Sequence, residues 1–139
     1  MLRESLIEAT QFFSHEVLGS EVSLFDYSPT HSAYAAMIDV NGDVNATVTV
    51  YINKKSLTRM AFLFLFEENP DEKALEDLIK EIANLIVGKA KVIAQEKSLA
   101  FDIGTPEFLA QDAVLQPNDF EVNFMFEEEI FTLTAKVNG

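Results

Sequence analysis

The stretch PDEKALEDLIKEIANLIVGKAKVIAQEK, residues 70–97, is the longest part of the chain with a single regular pattern. Apolar residues recur in it at steps of three and four, which predicts an amphipathic helix with one broad buried face. The predicted face consists of Leu75, Leu78, Ile79, Ile82, Leu85, Ile86, Ile93 and Ala94. Asn69 suits the N-cap and Pro70 the first helical position, so we expect the helix to begin there.

A shorter helix and a strand are predicted at the start of the chain. Residues 4–18 carry apolar side chains at helical spacing, and Gly19 is a natural helix end. Residues 21–27 then alternate between apolar and polar side chains, which indicates a short strand that ends before Pro29.

The middle of the chain predicts a hairpin followed by a helix. Residues 33–40 and 44–52 have the composition and alternation of strands. Asn41-Gly42 lies between them and predicts the turn, because both residues tolerate positive φ. Residues 54–66 return to helical spacing and are rich in Phe, Leu and Met.

The last third returns to strands and makes the two halves of the chain look alike. Residues 120–126 and 131–137 alternate, and Glu127-Glu128-Glu129 joins them into a hairpin. Each half thus runs helix, short strand, proline and hairpin. The order predicts a single domain over residues 1–139, an α+β fold in which helices pack on a pseudo-symmetric antiparallel sheet.

The amino-acid composition disfavours or excludes several classes of function. Ten Lys and Arg against 23 Asp and Glu give a formal charge of −13, which disfavours nucleic acid and anionic membrane surfaces as partners. The chain contains no Cys, so thiolate metal sites and thiol nucleophiles are excluded. The N-terminal residues lack the apolar core of a signal peptide, and the longest apolar run, residues 60–66, is far too short for a membrane span. A cytoplasmic protein is expected.

Familiar catalytic sets are missing from the sequence. His15 and His31 are the two histidines, and neither belongs to an HExxH motif. Ser14-His15-Glu16 is contiguous, and neighbouring residues of a helix point in different directions, so it does not form a triad. Two histidines without the HExxH spacing disfavour a zinc enzyme, and no glycine-rich phosphate loop of a known pattern occurs.

A polar stripe on the long helix is the unusual feature. Its members follow one another at steps of four, three, four, three and four: Asp77, Glu81, Asn84, Gly88, Lys91 and Gln95. Asn costs a helix several tenths of a kcal/mol relative to Ala, and Gly costs about 1 kcal/mol. Gly88 removes a side chain one turn beyond Asn84 and leaves room for another molecule to approach the amide. The plain alternative is that the stripe is the solvated side of an amphipathic helix.

The segment from Asp77 to Lys91 resembles the signature helix of the CheC/CheX/FliY family of chemotaxis phosphatases. That signature has an acidic residue or Ser, a Glu four residues later, an Asn three after that, and a Pro some twenty residues on. Asp77, Glu81, Asn84 and Pro106 fill these places. The order of the other elements is also similar to that of the family, so the resemblance extends over nearly the whole chain.

The resemblance implies a phosphatase that acts on the aspartyl phosphate of a phosphorylated CheY-like response regulator. Asn84 would orient the attacking water, and Glu81 would pair with the active-site lysine of the regulator. Asp77, Gly88 and Lys91 would belong to the docking surface. The Mg²⁺ ion would be supplied by the regulator, so the resemblance implies no metal site and no cofactor of the protein's own. The protein itself is expected to form a homodimer.

Two alternatives remain at the level of sequence. A single Glu-x-x-Asn motif is similar to CheX, whereas the first helix has Glu8-Ala9-Thr10-Gln11 at the matching place. Gln11 is either an ordinary core or surface residue or part of a second, degenerate site. The whole protein, in turn, is either an enzyme or a non-enzymatic CheX-like module that docks a signalling or flagellar-switch partner.

Overall fold

The computed structural model describes residues 1–29 and 32–138, and its helices lie close to the predicted positions. Helix α1 spans Leu2–Phe13 and continues as a π-helical segment, Ser14–Leu18, that ends at Gly19 with φ of 64°. Helix α2 spans Lys54–Leu65, and the side chain of its N-cap Asn53 accepts a hydrogen bond from the backbone N–H of Ser56. Helix α3 spans Glu72–Glu96.

The start of α3 corrects the predicted cap. The N-cap is Asp71, whose Oδ1 accepts a hydrogen bond from the backbone N–H of Ala74 at 2.8 Å. Asn69 and Pro70 therefore lie before the helix, and the prediction that it begins at Pro70 was wrong by two residues. A carboxylate at the N-cap binds the free N–H groups and also complements the positive end of the helix dipole, which favours Asp71 over Asn69.

The described residues form seven strands that all pair in antiparallel fashion. In chain order the strands are β1 (Ser23–Phe25), β2 (Ala33–Gly42), β3 (Ala46–Ile52), β4 (Phe101–Ile103), β5 (Glu107–Ala113), β6 (Phe120–Phe126) and β7 (Glu129–Val137). The order across the sheet is β1-β6-β7-β3-β2-β4, and β5 also pairs with β2. Strand β5 was not predicted.

The strand order confirms the pseudo-symmetric antiparallel sheet. The two hairpins, β2-β3 and β6-β7, meet through β3 and β7 in the middle of the sheet. Each short strand crosses to the hairpin of the other half, because β1 pairs with β6 and β4 pairs with β2. The two halves are therefore interlocked through strand pairing in both directions.

The helices cover one face of this sheet. The alternating residues of β3 and β7, among them Val50 and Leu133, are fully buried beneath them. On α3 most of the predicted face is buried, whereas Leu85 and Ile93 are half-buried. Ala83, Val87 and Ala90 complete the buried face. The core side of the helix is thus rotated slightly from the predicted one. Within the described ranges, no helix is long and apolar enough to span a membrane.

The first hairpin turn also differs from its prediction. Asn41 and Gly42 are the last residues of β2, and the chain reverses over residues 43–45. Gly42 has φ of 153°, and a Cβ placed on it would lie 2.7 Å from the carbonyl oxygen of Ala100. Glycine is therefore required here for two reasons: its positive φ is one that L side chains rarely adopt, and the backbone at Ala100 and Phe101 approaches closely.

The second hairpin turn is one residue shorter than predicted. Phe126 pairs with Glu129, so Glu129 belongs to β7 and only Glu127 and Glu128 form the turn. Both have positive φ, 45° and 72°, as a two-residue turn between antiparallel strands requires.

Candidate functional site

The polar stripe lies on the outer side of α3, away from the sheet. Asp77 and Glu81 are exposed, and Asn84, Gly88 and Lys91 are half-buried. On one side the stripe borders α1, which runs antiparallel to α3, since Glu8 lies near Lys97 and Phe12 near Lys89. On the other side it borders β4. The structure therefore brings the five predicted residues onto one surface.

Asp77 is held by two lysines of its own helix. Its Oδ1 accepts a hydrogen bond from Lys73 Nζ at 3.0 Å and lies 3.6 Å from Lys80 Nζ. The hydrogen bond from Lys73 keeps the pKa of Asp77 below its ordinary value, although the group is fully exposed. Asp77 is thus ionised at neutral pH, and its positively charged partners, Lys73 and Lys80, belong to the same helix.

Glu81 and Asn84 differ from Asp77 in this respect. Neither side chain forms a hydrogen bond or ion pair with any other residue that the structure describes. They are three residues apart on one helix, so their side chains project next to each other. A carboxylate and a carboxamide that both lack an internal partner are available to groups of another molecule.

Both residues have apolar neighbours from other elements. Glu81 lines a shallow depression with Phe64 and Leu65, which stand at the end of α2. Asn84 lines a groove between α1 and α3 that also includes Phe12 and Gly88. The polar pair is therefore flanked by exposed apolar surface, as in many sites where proteins dock.

Gly88 leaves open space within the fold. A Cβ built at this position would have only one neighbour within 4 Å, the Cδ1 atom of Ile103 at 3.9 Å. That distance is an ordinary van der Waals contact, so the fold would accept Ala here. A residue that weakens a helix by about 1 kcal/mol without being needed for packing indicates a requirement from outside the chain.

Lys91 is less available than the sequence predicts. Its Nζ donates a hydrogen bond to Asp102 Oδ1 at 3.2 Å and so joins α3 to β4. Pro106 is half-buried and lies just before β5, in the connection that leaves β4. The proline of the motif therefore belongs to the segment that borders α3 on the β4 side.

The matching place on α1 is arranged differently. Glu8 accepts a hydrogen bond from Lys97 Nζ at 2.9 Å, and Gln11 is exposed. His15 takes the position that Gly88 has on α3, and its Nδ1 lies 2.6 Å from Glu21 Oε1. Gln11 therefore lies at the surface and not in the core. His31 lies outside the described residues.

The structure adds two residues that the sequence reasoning missed. Lys89 Nζ lies 4.1 Å from the centroid of the Phe12 ring, and both side chains line the groove that contains Asn84. Their sequence positions could have pointed to them. Lys89 directly follows Gly88, and Phe12 directly follows Gln11 and is an aromatic residue on the polar side of its helix.

No cluster of three or more His, Asp or Glu side chains that could hold a metal ion occurs in residues 1–29 and 32–138. The chemistry that the stripe can perform on its own is accordingly limited. A carboxamide can orient a water molecule, and a carboxylate can bind a cation on another molecule.

Comparison with known families gives a match over most of the chain. The sequence model of the family described as "Chemotaxis phosphatase CheX" matches residues 34–126, a range that includes Glu81, Asn84 and Pro106. A search among curated protein sequences gave no significant match.

Solved structures share the fold over almost the full length. The chemotaxis protein CheX of Vibrio vulnificus has a TM-score of 0.87 at 13% identity, with 99% of this chain and 96% of that chain covered. CheX of Desulfovibrio desulfuricans has a TM-score of 0.82 at 17% identity, with 99% of both chains covered. The CheX-CheY-BeF3-Mg²⁺ complex of Borrelia burgdorferi matches with a TM-score of 0.78 at 16% identity, covering 100% of this chain and 99% of that one. At these identities the likeness establishes the arrangement of sheet and helices.

Proposed function

The chain belongs to the CheX family of chemotaxis phosphatases, and on that premise we propose that it hydrolyses the aspartyl phosphate of a CheY-like response regulator. The observation that carries the proposal is the unpartnered pair Glu81 and Asn84 on the outer side of α3, beside the open space at Gly88.

Asn84 orients the water that attacks phosphorus. Its carboxamide has both donor and acceptor atoms, so it can hold a water molecule in one direction without carrying charge. An acyl phosphate is already reactive, so placing the water in line with the breaking bond is the main contribution that is needed. A neutral amide also avoids the repulsion that a carboxylate would have with the phosphoryl group.

The regulator supplies a metal ion and a lysine to the reaction. In the Borrelia burgdorferi complex, CheX is bound to CheY together with BeF3 and Mg²⁺. We assign the same division to this chain: the Mg²⁺ ion and the active-site lysine belong to the regulator, and the phosphatase needs no cofactor of its own. This assignment agrees with a site whose reactive residues are one amide and one carboxylate.

Glu81 holds the two proteins in register. As an exposed carboxylate without an internal partner, it pairs with the regulator's lysine through a charge-assisted hydrogen bond. Gly88 allows the regulator's backbone to approach the helix. Asp77 and Lys91 border the docking surface and are kept in place by Lys73 and by Asp102 respectively.

The cellular setting follows from this reaction. We propose that the protein acts in the cytoplasm of a bacterium, where the regulator is phosphorylated, and that it acts as a homodimer.

A docking module without enzymatic activity is the second candidate. It is favoured by the apolar side chains that α2 exposes at its end, where Phe62 and Leu65 are exposed and Phe66 is 82% exposed. Such a surface fits a signalling or flagellar-switch partner that binds without being dephosphorylated.

The deciding experiment follows the loss of phosphate from a CheY-type regulator that has been phosphorylated in the presence of Mg²⁺. Wild type should accelerate the loss, Asn84→Ala should remove most of the acceleration while binding persists, and Gln11→Ala should behave as wild type. If wild type binds the regulator but leaves the rate unchanged, the enzymatic proposal is wrong and the docking module is the better description.

A further inference from the structure

Lys89 has an unusual environment for a lysine of this protein. Its ammonium group lies 4.1 Å from the centroid of the Phe12 ring, in the groove between α1 and α3 that Asn84 and Gly88 also line. The side chain is half-buried, so the charge is held close to the protein surface. The ring attracts the cation through its quadrupole.

Most of the other cations have a carboxylate partner. Of the ten Lys and Arg side chains, seven lie within 4.0 Å of a carboxylate among the residues that the structure describes. The other three are Lys54, Lys89 and Lys136, of which Lys54 and Lys136 are exposed. In a chain with a charge of −13, a half-buried cation without a carboxylate partner stands out.

The charges around the proposed site give this cation a role. On the N-terminal side of Asn84 the stripe residues Asp77 and Glu81 are acidic. On its C-terminal side Lys91 is paired with a carboxylate of β4. The substrate would bring a phosphoryl group that is itself anionic. The regulator's Mg²⁺ ion and lysine offset part of that negative charge, and a cation of this chain beside Asn84 would reduce the remaining repulsion from a protein with a charge of −13. The groove that contains Asn84 has one cation, and that cation is Lys89.

We propose that Lys89 is a further catalytic residue, which leaves the Phe12 ring when the regulator docks and donates a hydrogen bond to a phosphoryl oxygen of the aspartyl phosphate. The inference rests on the proposed function. A charge-assisted hydrogen bond to phosphate is stronger than a cation–π contact with a ring that is partly open to solvent, so the transfer is favourable. The flexible four-carbon stem of lysine allows the movement, and Gly88 leaves space next to it.

The contrasting interpretation is that the stem of Lys89 only covers the Phe12 ring. The two interpretations differ in whether the charge itself matters. Lys89→Gln keeps most of the stem and removes the charge, whereas Lys89→Arg keeps the charge. Lys136→Gln is the matched control, because it makes the same change in net charge at an exposed lysine of β7 that also lacks a carboxylate partner.

The first measurement is steady-state dephosphorylation of a CheY-type regulator carrying Mg²⁺. Lys89→Gln should lower kcat/KM about tenfold with part of the loss in kcat, since the contact acts on the reacting group. Lys89→Arg should recover most of the activity, and Lys136→Gln should equal wild type. If Lys89→Gln matches Lys136→Gln while Asn84→Ala is inactive, the role of Lys89 is wrong and the proposed function stands.

The second measurement is binding, with the same regulator in the presence and absence of BeF3. Wild type and Lys136→Gln should prefer the BeF3-bound form, and Lys89→Gln should lose about tenfold of that preference. This readout does not need catalysis, so it decides about Lys89 even if wild type fails to accelerate dephosphorylation. An unchanged preference in Lys89→Gln would overturn the proposed contact.

Discussion

Helices α1 and α3 carry the same short pattern in the two halves of a pseudo-symmetric sheet, yet their surroundings differ. Glu8 and Gln11 on α1 have the spacing of Glu81 and Asn84 on α3. Glu8 is bound by Lys97, whereas Glu81 has no partner among the described residues. The two helices thus share the order of residue types, but they differ in whether the carboxylate is bound by another residue of the chain.

The two helices also differ in the residue that stands one turn further along. On α3 it is Gly88, which leaves open space, and on α1 it is His15, which lies beside Glu21 within the π-helical segment. A partner that approached α1 at this level would meet an imidazole. The comparison teaches that α3 combines an amide, open space and a carboxylate without a partner in the described part of the chain, whereas α1 has only the spacing of the residue types.

Among the substitutions that compare the two helices, replacing the Asn84 amide with a carboxylate should have the largest effect on the rate of dephosphorylation. Asn84→Asp keeps the shape of the side chain but removes its donor and adds a negative charge beside the phosphoryl group. We expect the acceleration of dephosphorylation to fall about a hundredfold, as when a positioned hydrogen-bond donor is removed from an active site. The measurement is the first-order loss of phosphate from the regulator at saturating enzyme.

The control for that change is Gln11→Glu on α1, which is isosteric in the same way and should leave the rate as in wild type. Equal losses in both variants would mean that the two helices are equivalent, and the comparison would then fail.

The next largest effect should come from the carboxylates. Glu81→Gln should raise the Kd for the regulator about tenfold, because it removes one partner of a charge-assisted hydrogen bond. The effect should be larger at low ionic strength, where charges are screened less. Titration of the regulator at two salt concentrations measures both quantities.

Glu8→Gln provides the matched comparison. It should leave the Kd unchanged and lower the free energy of unfolding by less than about 1 kcal/mol, because an ion pair at the surface contributes little. A loss of affinity in Glu81→Gln that does not depend on salt would count against the pairing with lysine.

At Gly88 we expect two smaller effects of opposite sign, a gain in stability and a loss of affinity for the regulator. Gly88→Ala should raise the free energy of unfolding by about 0.5 to 1 kcal/mol, since Ala is the better helix former and its Cβ fits. The same variant should weaken binding of the regulator a few-fold if the missing side chain serves docking. Thermal denaturation and the binding titration are measured on the same sample. Higher stability with unchanged affinity would show that Gly88 has no part in docking.

The smallest effect concerns the pKa of Asp77. The hydrogen bond from Lys73 depresses this pKa below its ordinary value of 3.8 in the folded protein. The folded state therefore binds its proton less readily than the unfolded chain. The resulting stabilisation is present above the ordinary value and is lost as the pH falls through the depressed one.

Lys73→Gln should return the pKa of Asp77 toward its ordinary value, and the phosphatase rate at neutral pH should stay the same. NMR titration of the Asp77 carboxyl group measures the shift. A marked loss of activity in this variant would mean that the Lys73–Asp77 pair takes a direct part in docking, in the way proposed for Glu81.

Several elements were predictable because local patterns are strong. The alternation in β3 and β7 and the helical spacing in α1 and α3 reflect which side of each element is buried, and the sequence records that directly. The failures occurred where a distant residue decides the local conformation. Gly42 is required by the approach of Ala100, and β5 exists because β2 offers an edge beside β4.

The candidate site divides in the same way. The spacing of Glu81, Asn84 and Gly88 on one helix side follows from 3.6 residues per turn, so it could be predicted from the order of residues. That Lys91 is bound to Asp102 could not be predicted, because their contact depends on how β4 lies beside α3. The cation–π contact of Lys89 with Phe12 is hidden from the sequence for the same reason.

The sequence by itself therefore determined the helices, the two hairpins, the pseudo-symmetric order and the line of polar residues on α3. These features arise from interactions between residues that are near in sequence, and their periodicity is visible in the residue order. Only the tertiary structure decided which side chains remain available. Glu8 is bound by Lys97 and Glu81 is left open because the end of α3 packs beside α1, and such a contact between distant residues leaves no periodic trace in either segment.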